Sequence, residues 1–236
     1  MFDASEGMLS YARTKVADYV VAGRVPHCEQ LVLPCPIPGG EQHYDAICVN
    51  FVLHHLGSPD DNIDTLTFPK ATGALRNIYD ALRKGGLFLM ITCLRQQLTH
   101  CLWHFGLIEK VDDLFKEPIL QLMCGDYNSI EKILMEVGFP AMQATVPLHE
   151  IIMKPQHYYN VDTASDPKFI LAVSAFALLK KRDKEMGTNY METYFQRLHD
   201  LKESNKLEAL IDEKEGMRKT YGCLTVIAVQ KPSKYT

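Results

Sequence analysis

Two adjacent histidines, His54 and His55, follow directly on the apolar run Tyr44–Val52. Imidazole titrates near neutrality, so either ring could remove a proton from an acceptor or orient one. The structural alternative is that His54 packs and His55 bonds to backbone. Cys101 and His104, with Cys93 nearby, superficially suggest metal ligands. Tetrahedral zinc needs four ligands, or three and a water, and no second close pair is present, so no metal site is expected. Cys28 and Cys35 lack the Cys-x-x-Cys spacing of a redox pair. No acyl-transfer nucleophile elbow or phosphate-loop motif occurs. Core packing is the better explanation for Trp103, which begins the run Trp103-His-Phe105.

These residues need a scaffold, and hydrophobic periodicity supplies it. Met1–Asp3 reads as the end of a strand. Ser5 can cap a helix from Glu6 to about Val21, with Met8, Leu9, Ala12 and Val16 as its apolar stripe. Val25–Val32 is a weak strand region, and Pro34-Cys-Pro-Ile-Pro-Gly-Gly40 must be a loop. Tyr44–Val52 is apolar without alternation, the pattern of a strand covered on both faces. Ala71–Arg83 is an amphipathic helix ended by Gly85-Gly86, and Leu87–Thr92 is a second buried strand. Helices follow at Leu98–Phe115, Asn128–Val137, Phe169–Lys181 and Thr188–Ala209, with a late strand in Met142–Ile152 and a final one at Cys223–Gln230. The order predicts a doubly wound α/β sheet.

Composition narrows the class. Hydrophobic content of 47% and charged content of 23% match a soluble globular balance. A net charge of -4 gives no basic excess for a nucleic-acid partner, and no apolar run is long enough for a bilayer span. Seven cysteines, an odd number, point to free thiols in a reducing compartment, so a cytoplasmic location is expected. The chain reads as one domain over 1–232. Its parts are a cofactor-side half (1–95), later helices and a strand (96–155), a helical cap or insertion (156–220) and the final strand (221–230).

The run Phe2-Asp-Ala-Ser-Glu-Gly-Met-Leu-Ser-Tyr-Ala12 resembles the segment that follows the glycine-rich motif in class I, Rossmann-like S-adenosylmethionine-dependent methyltransferases. Asp3, Ser5, Met8, Leu9 and Ala12 carry the match. Tyr44–Leu56 looks like that family's fourth strand and its exit. Leu75–Leu89 resembles the helix, glycine turn and fifth strand, and Tyr221–Pro232 the last, antiparallel strand. The likeness covers residues 1–95 most fully.

The resemblance implies a mostly parallel sheet with an antiparallel final strand, S-adenosylmethionine as cofactor, and methyl transfer to a small-molecule acceptor. Asp3 is the candidate for the ribose diol, since a carboxylate can accept two hydrogen bonds, with a plain helix cap as the alternative. Glu29 would lie near the adenine amino group, and Asn50 and Phe51 would flank the methionine portion. His54 and His55 are the catalytic candidates. Tyr158, Tyr159, Tyr190, Tyr194 and Asp162 could select a polar acceptor, or could be packing and a solvated face.

The family's first strand and Gly-x-Gly-x-Gly turn have no counterpart here. Losing a central strand would leave two interior edges unpaired or force them together. The chain could be a fragment, a truncated relative that has lost activity, or one whose sheet a second copy or a partner completes. A catalytically inactive binding or regulatory module is the alternative reading.

Overall fold

The computed structural model describes residues 1–24, 28–58, 60–62, 64–108, 127–151 and 155–233. β1 (Phe2–Asp3) leads into α1 (Glu6–Lys15) and α2 (Ala17–Val21), and β2 (Glu29–Gln30) pairs with β1 in parallel. Ser5 caps α1 as expected, its Oγ accepting the Met8 N–H at 3.3 Å. The helix expected to reach Val21 is interrupted at Val16, where the backbone leaves helical geometry. Arg13 straps α1 to the second strand's approach by donating to the Cys28 carbonyl at 2.9 Å.

A second sheet has the order β3-β4-β6-β5, built from Tyr44–Asn50, Leu82–Thr92, Leu224–Gln230 and Ala144–Leu148. β3 and β4 are parallel, and β6 runs antiparallel to both β4 and β5. Three strands thus share one direction, with the final strand reversed between the last two. This is the mixed Rossmann-like topology expected, with helical material between β5 and β6. Among the described residues β1 pairs with β2 alone and β3 with β4 alone. β1 and β3 therefore belong to separate sheets and do not pair with each other among the described residues.

One face of the sheet is buried. Val49, Phe88, Met90, Ile227 and Val229 pack with α3 (Pro69–Ala81) and α5 (Tyr127–Glu136), which contribute Leu75, Ile78, Ile130 and Leu134. The opposite face is not sealed: Leu87, Leu89, Ile91 and Val226 are half-buried, and Ala46 and Cys48 are exposed. Apolar continuity in Tyr44–Asn50 predicted cover on both sides, and only Val49 of that strand is buried. α1 and α2 leave Met8, Tyr11, Tyr19 and Val21 exposed and do not supply the second layer.

The junction of α3 and β4 differs from expectation. The helix starts at Pro69, ends at Ala81, and the strand begins at Leu82, ahead of the glycine pair. The last helical carbonyls find a distant partner: Lys231 Nζ donates to Tyr79 O at 2.6 Å and Leu82 O at 2.8 Å. A cation there also meets the negative end of the helix dipole. The glycines form a bulge inside β4, where pairing jumps from Tyr44↔Leu82 to Ala46↔Leu87. Gly85 has φ 74°, and a Cβ on Gly86 would lie 2.8 Å from the Arg83 carbonyl.

After β4 come α4 (Arg95–Cys101) and a 3-10 helix, Trp103–Leu107. The single helix expected over Leu98–Phe115 is thus broken at Leu102, and its end lies outside the described residues. Between β5 and β6 stand α6 (Pro155–Tyr158), α7 (Pro167–Ala172), α8 (Ser174–Met186), α9 (Tyr190–Glu203) and α10 (Leu207–Tyr221). The one helix expected over Thr188–Ala209 is two, because Asn205 takes φ 56° and turns the chain. The six described cysteines are free thiols. No helix among the described residues is long and apolar enough to cross a membrane.

Candidate functional site

In a parallel sheet the carboxyl ends of strands point unpaired backbone and the following helix N-termini toward one rim, where ligands bind. Asp3 ends β1. Its Oδ1 accepts the Ser5 N–H at 2.8 Å, and its carbonyl accepts the Leu31 N–H at 3.0 Å. The half-buried carboxylate therefore shapes the turn into α1, while Oδ2 has no hydrogen-bond partner among the described residues. An ionised carboxylate offers about four acceptor sites, so capacity for a diol remains.

Glu29 is exposed on β2 and donates its N–H to the Met1 carbonyl at 3.1 Å. The register pairs Phe2 with Glu29 and Asp3 with Gln30. Cross-strand partners share a face and neighbours alternate, so Gln30, not Glu29, shares the face of Asp3. Gln30 was not among the sequence candidates. Only the strand register reveals it, and its Nε2 donates to Ala4 O at 2.8 Å.

Asn50 ends β3, paired with Ile91 and exposed. Phe51 follows with φ 53°, a left-handed conformation that costs a bulky residue of order 1–3 kcal/mol. Two things hold it there: its N–H donates to Ile91 O at 3.1 Å, and it packs on the aromatic core around Trp103. The chain then makes a 3-10 turn over Leu53–His55, with Leu53 and Leu56 buried. His55 is exposed, and its N–H donates to Val52 O at 3.0 Å. The side chain of His54 lies outside the described residues.

The structure thus gathers Asn50, Phe51, His54 and His55 at one strand exit, and Asp3, Glu29 and Gln30 on a separate ribbon. No hydrogen bond among those described joins the groups.

Two tyrosines of the helical segment, Tyr158 and Tyr194, are packed into its core. Tyr158 and Tyr194 are fully buried and donate to Cys101 O at 3.3 Å and Ala164 O at 3.2 Å. Burial pushes both phenols above their ordinary range. Tyr159 donates to Glu215 at 3.3 Å. Asp162 is 84% exposed and pairs with Lys202 at 2.9 Å beside a cleft of about 310 Å³ that Glu208 also lines. Trp103 is fully buried, its Nε1 donating to Tyr158 O at 2.8 Å. Among the described residues no group of three or more His, Cys, Asp or Glu side chains gathers as a metal site.

No family model matches the chain. No curated protein matches it either. Solved structures of similar path include phosphoethanolamine N-methyltransferase 2 of Haemonchus contortus with S-adenosyl-L-methionine, at 14% identity and a TM-score of 0.43, covering 98% of this chain and 42% of that one. Geranyl diphosphate methyltransferase with its cofactor is 11% identical, with a TM-score of 0.41, covering 98% of this chain and 67% of that one. The [4+2]-cyclase SpnF is 12% identical, with a TM-score of 0.42, covering 99% of this chain and 65% of that one. The chain spans 42% to 67% of the length of these three structures. The fold class rests on the strand order and directions described above.

Proposed function

We propose that this polypeptide binds S-adenosylmethionine across the carboxyl ends of β1 and β3 and transfers its methyl group to a small-molecule acceptor. Two separate observations support the reading: a strand-end carboxylate with spare acceptor capacity, Asp3, and a left-handed strand exit at Asn50-Phe51. Asp3 would hold the ribose diol, Glu29 the adenine side, and Asn50 and Phe51 the methionine portion. The sulfonium cofactor, when bound, supplies an already electrophilic methyl group. What remains for the chain is to align the acceptor, exclude water and accept a proton where the acceptor carries one. His55, exposed beside the strand exit, and His54 are the candidates for that proton.

The β3 edge, which pairs with β4 alone among the described residues, supports a further part of the reading: a strand from outside residues 1–236, from a second copy or from another polypeptide adds along it. Unpaired parallel edges with apolar flanks are templates for such addition. The second reading is a non-catalytic binding or regulatory module, favoured by the unsealed sheet face around Ala46 and Cys48.

Calorimetric titration of S-adenosylmethionine into the 236-residue chain, with circular dichroism as the folding check, separates the two readings. Saturable binding weakened by Asp3→Ala supports the cofactor site. A folded chain that takes up no cofactor sinks the claim that this polypeptide is itself the enzyme and leaves the module.

A further inference from the structure

His104 is fully buried, and neither ring nitrogen has a hydrogen-bond partner. Buried polar atoms are nearly always satisfied, so an orphaned pair in the middle of a core marks a place the fold holds at a cost. Aromatic rings surround it. Trp103 stacks on it at 3.8 Å between centroids, with Phe169 at 5.3 Å and Tyr158 at 6.1 Å. These rings come from different parts of the chain. Trp103 and His104 lie on the 3-10 helix that follows α4, while Tyr158 and Phe169 belong to α6 and α7 of the helical segment. His104 therefore sits in the seam between that 3-10 helix and the helical segment.

We propose that this seam is an acid-sensitive joint, in which protonation of His104 releases the helical segment 155–221 from Trp103–Leu107 while the sheet stays folded. An imidazolium needs water or an anion, and among the described residues no carboxylate is hydrogen-bonded to the ring. On its own 3-10 helix no other group titrates. From α4 comes Cys101, whose thiol burial pushes up to about 11. From α6 come Tyr158, kept neutral by burial, and His157, which meets the far ring Phe169 at 6.1 Å. α7 adds the exposed Lys168, and α9 the buried phenol of Tyr194. From α10 Lys214, paired with Glu213 at 3.5 Å, lies against Gly106. None of these presents a carboxylate to His104.

Burial alone pushes the imidazole down to about 3. The face of Trp103 attracts a cation, but that attraction is smaller than the cost of stripping the ion of water. The sign follows from linkage. The folded value lies below the ordinary 6.5, so the open form takes up the proton first. Stability of the closed seam is complete above about 6.5 and declines as pH falls toward 3. Opening hydrates the ring and removes the orphaned atoms together.

The chain's one tryptophan is Trp103, so its emission reports this seam directly. The test is acrylamide quenching and emission wavelength of the full chain against pH, without cofactor, with far-UV circular dichroism at each point. Quenching is the readout because a stacked imidazolium itself dims indole. The expected result is a several-fold rise in quenching between pH 6.5 and 3 with helix and strand signals retained, and none in His104→Phe. Should His104→Phe fail to fold, His104→Met serves, and histidine NMR of the wild type gives a third measure. Quenching that rises only as the dichroism collapses would overturn the joint. So would an unchanged transition in a variant, or a His104 that titrates while Trp103 stays shielded. The readout needs no bound ligand, so its failure is separate from failure of the methyl-transfer reading.

Discussion

Gln97 and Thr225 meet in the core, the Thr225 hydroxyl donating to Gln97 Oε1 at 3.0 Å. The same oxygen accepts the Leu94 N–H at 3.1 Å, and Nε2 donates to Tyr221 O at 3.1 Å and Leu224 O at 2.8 Å. One buried amide thus ties the start of α4 to the end of α10 and the entry of β6. Gln97→Leu removes all four bonds and strands buried partners, so a loss of about 3 kcal/mol is expected. Urea unfolding would measure it. A loss under ~1 kcal/mol would show that water replaces the amide.

Arg218 and Glu215 form a second tie. The buried guanidinium donates through Nε to Glu215 at 2.8 Å and through another nitrogen to the His149 carbonyl. That donation holds the Glu215 carboxyl below its ordinary range. A folded value below the unfolded 4.5 means that the stabilisation is full above pH 4.5 and is lost as pH falls through the folded value. Arg218→Met should therefore cost about 2 kcal/mol at neutral pH, reduced from a fully buried pair because water reaches Glu215. The gap between wild type and variant should narrow below pH 4.5. A gap constant with pH would assign the loss to packing.

Lys231 lies over the Tyr79 ring at 4.3 Å and closes α3 through two carbonyls. Lys231→Met keeps the stem and removes the cation and donors. A loss of about 2 kcal/mol is expected from the unmet carbonyls and the helix end. Thermal unfolding would register this as a lower midpoint.

The β4 bulge makes its own prediction. In Gly86→Ala the new methyl would meet the Arg83 carbonyl at 2.8 Å and the Asp45 carbonyl at 3.2 Å. Both are backbone and cannot swing aside, so a destabilisation of about 1–3 kcal/mol is expected. Gly216→Ala, with nothing within 4 Å, is the control, and should be neutral or stabilising.

Asp3→Asn separates capping from ligand binding. The amide oxygen can still accept the Ser5 N–H, so stability should change by less than about 0.5 kcal/mol. The charged acceptor is lost, so S-adenosylmethionine affinity should fall about tenfold, or ~1.4 kcal/mol. Equal affinity in the variant would leave Asp3 a turn residue only.

Local chemistry in the sequence determined much of this protein. Ser5 capping α1, the Pro34–Gly40 breaker, and apolar runs at Tyr44–Val52 and Cys223–Gln230 set the elements and their order. These signals are short-range, so they survive without knowledge of neighbours. The tertiary structure decided what depends on partners far along the chain. Lys231 reaches back to end α3 at Ala81, a contact across 149 positions that no helix signal contains. Register places Gln30 opposite Asp3, while Glu29 falls on the other face. Cover for the strands depends on which helices lie on each side, so apolar continuity in β3 did not reveal the open face at Ala46 and Cys48. His104 reads locally as one more aromatic-like position, and only the helices closing around it leave its two nitrogens without partners.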